Sequence, residues 1–177
     1  MTHFERLGLP RRFLLTPAEI EDNYLARSRE LHPDRHQLGT TAQQRLSLEM
    51  SAGLNDAYAI LRDPFRRAEY LLTLEGGPSA AEHKEMNPAF LEEMLELRME
   101  IEELRVAGNA SSAGRLAMER QLRDRRERLL SDIAGHFGRL ETLAGAPPER
   151  KEVLLQVRQL LNTAKYIQGL LRDLRAD

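Results

Sequence analysis

The stretch Thr16-Pro17-Ala18-Glu19-Ile20-Glu21-Asp22-Asn23-Tyr24-Leu25-Ala26-Arg27-Ser28-Arg29-Glu30-Leu31-His32-Pro33-Asp34 decides how this chain folds. It opens on a capping box with proline at the first helical position. The Thr16 hydroxyl oxygen is placed to accept from the Glu19 amide, and the Glu19 carboxylate to reach back to Thr16. It closes at Pro33, which disfavours helical backbone at His32 and has no N–H to donate, so the helix stops near Leu31 and the chain turns. A second helix fits residues 41–61, with Met50, Leu54, Ala57 and Leu61 as its buried stripe, and it pairs antiparallel with the first.

Asp63-Pro64 repeats the cap-plus-proline signal and opens a short helix that stops at Gly76-Gly77. The segment Gly77-Pro78-Ser79-Ala80-Ala81 reads as a linker. Asn87-Pro88 starts another helix, with a seam at Phe90, Met94, Leu97, Ile101 and Leu104, ending near Gly108-Asn109. A long helix follows over 112–143, carrying Leu122, Leu129, Ile133, Phe137 and Leu140, and Gly145-Ala146-Pro147-Pro148 closes it. The last helix holds Val153, Val157, Leu160, Ala164, Ile167, Leu171 and Leu174 at four-three spacing, completing a three-helix bundle. No segment alternates with the period of a strand, so the expected fold class is all-α: an N-terminal helical hairpin with short flanking helices, then an antiparallel three-helix bundle. The expected domains are 1–75, a linker at 76–86, and 87–177.

The chain has 177 residues, 41% hydrophobic and 31% charged, enough for two small cores. Its net charge of -2 gives no general pull on nucleic acid or anionic lipid. A mean hydropathy of -0.52 and the lack of a long apolar run argue against a membrane span. Zero cysteines exclude disulfides, thiolate metal sites and thiol nucleophiles, and fit a reducing compartment. The first residues resemble neither a secretory signal nor a transit segment, so the chain is expected to work in the cytoplasm where it is made.

Enzyme signals are weak. There is no glycine-rich phosphate loop, no nucleophile elbow and no His-Glu-x-x-His pair, and Pro33 breaks the helix that would align His32 with His36 as metal ligands. Glu92-Glu93 and Glu102-Glu103 read as a solvated helix face. The expectation is therefore no catalytic residue, no metal and no cofactor. His32-Pro33-Asp34 taken alone has a structural reading: a helix stop, a cation at a helix C-terminus and a turn-forming aspartate.

A second stripe on the 88–106 helix carries more information. Leu91, Leu95 and Met99 lie one position over from the seam, among Glu92, Glu96 and Glu103. Periodicity leaves two readings open, a wider core contact or an exposed apolar patch with an acidic rim. Residues 82–104 carry eight Glu against Lys84 and Arg98, a balance of -6, whereas 105–128 carry seven Arg against Glu119, Asp124 and Glu127, or +4. Attraction between neighbouring helices explains part of this contrast. It does not explain Leu91 and Leu95.

In order and spacing, residues of about 2–75 resemble a J-domain, the module that stimulates ATP hydrolysis by DnaK-class chaperones. The likeness rests on Phe4-Glu5-Arg6-Leu7-Gly8-Leu9, on Tyr24 eight residues before His32, on His32-Pro33-Asp34 followed by Arg35, and on Asn55-Asp56-Ala57-Tyr58-Ala59-Ile60-Leu61-Arg62-Asp63-Pro64 with Arg66-Arg67-Ala68-Glu69-Tyr70-Leu71-Leu72. With Asn87-Pro88-Ala89-Phe90-Leu91-Glu92-Glu93-Met94-Leu95-Glu96-Leu97-Arg98, and without a Gly/Phe-rich segment or zinc repeats, the whole chain resembles the HscB-type co-chaperones of iron-sulfur cluster assembly.

That resemblance implies two partners. A DnaK-class, HscA-like chaperone would be met by His32, Pro33 and Asp34 with Arg27, Arg29 and Arg35. An IscU-like scaffold would be met by Leu91, Glu92, Leu95, Glu96, Met99 and Glu103, with Asn162 and Tyr166 as candidates from the last helix. Tyr166 could equally cover the core edge. Arg27 stands where relatives often place an apolar residue, and Glu92 and Met99 depart from the usual pattern of the patch. Two other functions fit the residues: a J-domain adaptor for another client, and a helical scaffold whose His-Pro-Asp turn is incidental.

Overall fold

The computed structural model describes residues 1–31, 40–108, 112–143 and 147–175. Within them lie seven helices and no strand: α1 (His3–Leu7), α2 (Pro17–Leu31), α3 (Thr41–Leu61), α4 (Pro64–Leu74), α5 (Pro88–Val106), α6 (Ser112–Thr142) and α7 (Pro147–Arg175). The chain divides into two compact units, Met1–Leu71 and Leu72–Asp177, the division falling inside α4. His32, Pro33, Asp34, Arg35 and His36 lie outside the described residues, as do Gly145 and Ala146.

In the first unit the caps form as the sequence implies. Glu19 N–H donates to the Thr16 hydroxyl at 3.1 Å and Thr16 N–H to the Glu19 carboxylate at 2.7 Å, which places the start of α2. Asp63 accepts from the amides of Phe65 and Arg66, both at 2.9 Å, and so opens α4. That helix ends at Gly76, whose φ of 76° is open to glycine at no steric cost. α1 and α2 both pack on α3, around a core that includes Phe4, Leu7, Ile20, Leu54, Ala57, Leu61, Phe65 and Ala68.

The α3 stripe differs from expectation at one position. Met50 is 41% exposed and Ser47 is buried in its place. The reason is a backbone demand: the Leu31 carbonyl, at the end of α2, has no partner within its own helix and takes hydrogen bonds from Ser47 Oγ at 3.0 Å and Ser51 Oγ at 3.1 Å. A methionine cannot supply that donor.

In the second unit α7 packs against both α6 and α5. It therefore buries two stripes. Leu154, Arg158, Leu161, Asn162 and Leu170 join the expected Val153, Val157, Ala164, Ile167, Leu171 and Leu174, while Leu160 is only half-buried. A helix with one neighbour needs one narrow seam, but one with neighbours on two sides needs about twice that arc. The α6 positions Leu122, Leu129, Ile133, Phe137 and Leu140 are all buried, with Met118 added. On α5, Met94, Leu97 and Ile101 are buried, while Phe90 and Leu104 are half-buried.

His136 gives this unit a pH dependence. Burial and the nearby Arg139 lower its pKa, against an opposing pull from Asp132, and its Nδ1 has no hydrogen-bond partner among the described residues. A histidine whose folded pKa lies below its unfolded value binds protons more readily when unfolded, so stability is present above the unfolded value near 6.5 and falls as pH drops below it. Thermal unfolding followed by circular dichroism from pH 7.5 to 5 should show this loss, and His136→Gln should flatten it; an equally steep profile in the variant would assign the slope to other groups.

Candidate functional site

Of the residues singled out from the sequence, Arg27 and Arg29 lie on α2 of the first unit, those of the second unit lie on α5 and α7, and His32, Pro33, Asp34 and Arg35 lie outside the described residues. In the first unit, α2 and α3 are clamped by aromatic and polar contacts. Tyr24 and Tyr58 stack with ring centroids 4.2 Å apart, the Tyr24 hydroxyl donates to Asn55 Oδ1 at 2.9 Å, and the Tyr58 hydroxyl donates to Glu21 at 2.7 Å. The bond to Glu21 raises the Tyr58 pKa, because the carboxylate favours the protonated phenol. The Arg62 guanidinium lies 5.4 Å from the Tyr58 ring centre. Arg27 and Arg29 are both exposed on α2. The Arg27 guanidinium lies over Gly8, where a Cβ would stand 2.9 Å from Nη2. Gly8 has φ 68° and caps α1, a backbone conformation that favours glycine.

Sequence reasoning missed two features of this unit. Ser47 and Ser51 anchor the last carbonyl of α2 directly before His32. Their signal was present as two serines four apart on a face otherwise read as apolar. Arg67 is the other: it is 6% exposed, donates to the Leu61 carbonyl at 2.6 Å and lies 5.3 Å from the Phe13 ring centre. Burial lowers its pKa, opposed by Asp63. Replacing Ser47 and Ser51 together with alanine should cost about 1–2 kcal/mol, the loss of two hydrogen bonds to one partly buried carbonyl. Urea unfolding of the two proteins would measure it; equal midpoints would show that the carbonyl finds another partner.

On the second unit, α5 leaves its second stripe in solvent. Leu91 is 39% exposed, Leu95 61% and Met99 60%. The wider-core reading is thereby excluded for Leu95 and Met99. Glu92, Glu96 and Glu103 are exposed and form no ion pair with a described residue. The helix-to-helix attraction weighed from charge does exist, but it uses Glu93, which takes a bidentate pair from Arg125 at 2.5 and 2.8 Å. That pairing lowers the Glu93 pKa. It leaves the rest of the acidic rim free.

The α7 candidates separate. Tyr166 is 44% exposed and meets Phe90 edge-on at 5.8 Å, a contact with the α5 seam that leaves part of the ring in solvent. Asn162 does not belong to the patch surface. It is buried, accepts from Arg158 Nε at 3.0 Å and donates to the His83 carbonyl at 2.9 Å. Its side chain is occupied in pinning segment 79–86 onto α7. Among the described residues no group of three or more His, Asp and Glu side chains is placed to hold a metal. Among the described residues no helix is long and apolar enough to cross a membrane.

Comparison with known proteins decides the family. The DnaJ domain matches residues 2–70 and the HSCB C-terminal oligomerisation domain matches residues 86–175. This chain belongs to the HscB family of J-domain co-chaperones. It is 33% identical to a co-chaperone protein HscB homolog of Vibrio cholerae, over 85% of this chain and 88% of the relative. A homolog from Burkholderia vietnamiensis is 39% identical over 70% of each chain. The solved chaperone HscB from Vibrio cholerae superposes with a TM-score of 0.82 at 28% identity, covering 98% of this chain and 95% of the other. Human co-chaperone protein HscB shares the fold, with a TM-score of 0.78 at 22% identity over 99% of this chain and 81% of that one. An HscB-type co-chaperone has a DnaK-class chaperone as its partner and serves iron-sulfur cluster assembly.

Proposed function

We propose that this HscB-type protein is a non-enzymatic adaptor that carries an IscU-like cluster scaffold to an HscA-like chaperone in the cytoplasm and stimulates that chaperone's ATPase. In this reading residues 1–75 engage the chaperone, 76–86 connect, and 87–177 hold the scaffold. His32, Pro33 and Asp34, flanked by Arg27, Arg29 and Arg35, make the chaperone contact. Leu91, Glu92, Leu95, Glu96, Met99, Glu103 and Tyr166 make the scaffold contact.

The observation that carries the reading is the α5 face: three large apolar side chains in solvent, rimmed by glutamates that no described cation neutralises. Such a patch is costly to leave in water and has the anatomy of an interface, with an apolar centre and a charged rim. Coupling then follows from linkage. A scaffold delivered to the chaperone's client site and a J-domain bound elsewhere on it both favour the hydrolysis-competent conformation, provided each binds that conformation more tightly.

The test is ATP hydrolysis by an HscA-type chaperone with this protein, with and without scaffold. Synergy between the two is the expected result. Stimulation without synergy would remove the scaffold assignment and keep the chaperone partner; no stimulation of any DnaK-class chaperone would remove both.

A further inference from the structure

Beside the α5 face lies a cleft between α5, α7 and segment 80–86, bordered by Lys84, Arg98, Lys165 and Arg172 and floored by Met86, Tyr166 and Gly169. No acidic residue lines it. We propose that this cleft is a binding site for an acidic peptide segment of the protein that docks on α5; the identity of that protein rests on the reading above.

Four cations converge on a concave wall in a chain whose net charge is -2. Arg98 is held by Asp173 at 3.1 Å. Lys84, Lys165 and Arg172 form no ion pair with a described residue. Scattered surface lysines would be ordinary, but these are positioned. The Asn162 bond to the His83 carbonyl fixes the backbone next to Lys84 at the cleft edge. Lys165 and Arg172 are seven residues apart, two turns of α7 and so on one face.

Gly169 lies between them. Glycine inside a helix is less favourable than alanine. Packing does not require it here, because no heavy atom lies within 4 Å of where its Cβ would stand. The missing side chain leaves the floor open.

Two helical turns separate Lys165 from Arg172 by about 10 Å along the axis. An extended peptide covers that rise in about three residues, so successive carboxylates along it can meet both cations. Met86 and the Tyr166 ring, beside the Asn162 amide, offer apolar surface to the side chains that alternate with carboxylates along such a segment. Tyr166 belongs to both surfaces: it floors the cleft and meets Phe90, the neighbour of Leu91. A partner on this face thus finds glutamates along one border and cations along the other, which admits one orientation and penalises the reverse.

The probe is a fluorescein-labelled hexapeptide of alternating aspartate and leucine, followed by anisotropy with the full chain at low and moderate salt. Binding that weakens with salt is expected, and Lys165→Glu/Arg172→Glu should reduce affinity by about tenfold or more. Gly169→Leu, which fills the floor with a good helix former and changes no charge, should reduce it as well. Circular dichroism confirms that both variants keep their helices. Peptide affinity unchanged in both variants overturns the proposal, as does displacement of the peptide by an equal concentration of inorganic phosphate.

A cluster scaffold should associate more slowly with the charge-reversed protein. Leu91→Ala/Leu95→Ala should lose the scaffold and keep the peptide. A wild-type protein that binds the peptide and no scaffold would sink the reading of the partner and leave the acidic-peptide site standing.

Discussion

Leu91→Ala/Leu95→Ala is expected to weaken scaffold binding by about 2–4 kcal/mol, or about thirty- to a thousand-fold in Kd, and to abolish the scaffold's synergy in chaperone ATPase assays. The estimate takes each leucine as an anchor at the centre of the patch, where truncation removes buried area and leaves a gap against the partner. Folding should be nearly untouched, because 39% of Leu91 and 61% of Leu95 already face solvent and the α5 seam runs through Met94, Leu97 and Ile101. Exposed substitutions of this kind change stability by about 0.5 kcal/mol or less. Isothermal titration against the scaffold, with thermal unfolding as control, separates the two effects. Unchanged affinity would show that the patch serves another purpose. A large loss of stability would show that the leucines are structural.

Asp34→Asn should bring chaperone stimulation down to the basal rate while leaving scaffold affinity at the wild-type value. Asparagine keeps the size of aspartate and the same preference for turns, so the substitution changes charge rather than backbone propensity. What disappears is the carboxylate charge and one acceptor, the features a chaperone contact would use. His32→Gln tests the neighbouring position in the same way. If both variants stimulate as well as wild type, the His-Pro-Asp sequence is only a helix stop. The Ser47 and Ser51 bonds to Leu31 supply a complementary probe, since they hold the residue just before that sequence without altering it.

Much of the architecture was legible in the sequence because its signals are local. Thr16, Asp63 and Asn87 each satisfy orphan amides within three residues of themselves, so the starts of α2, α4 and α5 need no tertiary information. The α6 stripe was equally plain, because the expected heptad-like positions are the buried ones. Met50 misled because hydrophobic periodicity cannot see that a carbonyl from another helix needs a donor at Ser47. Asn162 misled for a similar reason: its place near Tyr166 on α7 suggested the patch, but its amide is spent on Arg158 and on the His83 carbonyl, 79 residues away.

The all-α class, the starts of α2, α4 and α5, and the family could be read from residues close together in the chain. Caps, prolines and apolar spacing act over a few residues, and the His-Pro-Asp and Asn-Pro motifs are contiguous. Which of two α5 stripes stays in solvent follows from the packing, since burial depends on where α6 and α7 lie and not on α5 alone. The packing also decides which charges remain unpaired. Glu93 and Arg98 are neutralised by residues 32 and 75 positions away, while Lys84, Lys165 and Arg172 gather at one cleft from two distant parts of the chain. Charge summed along a sequence has no knowledge of such neighbours, because Coulomb interaction and desolvation follow distance in space.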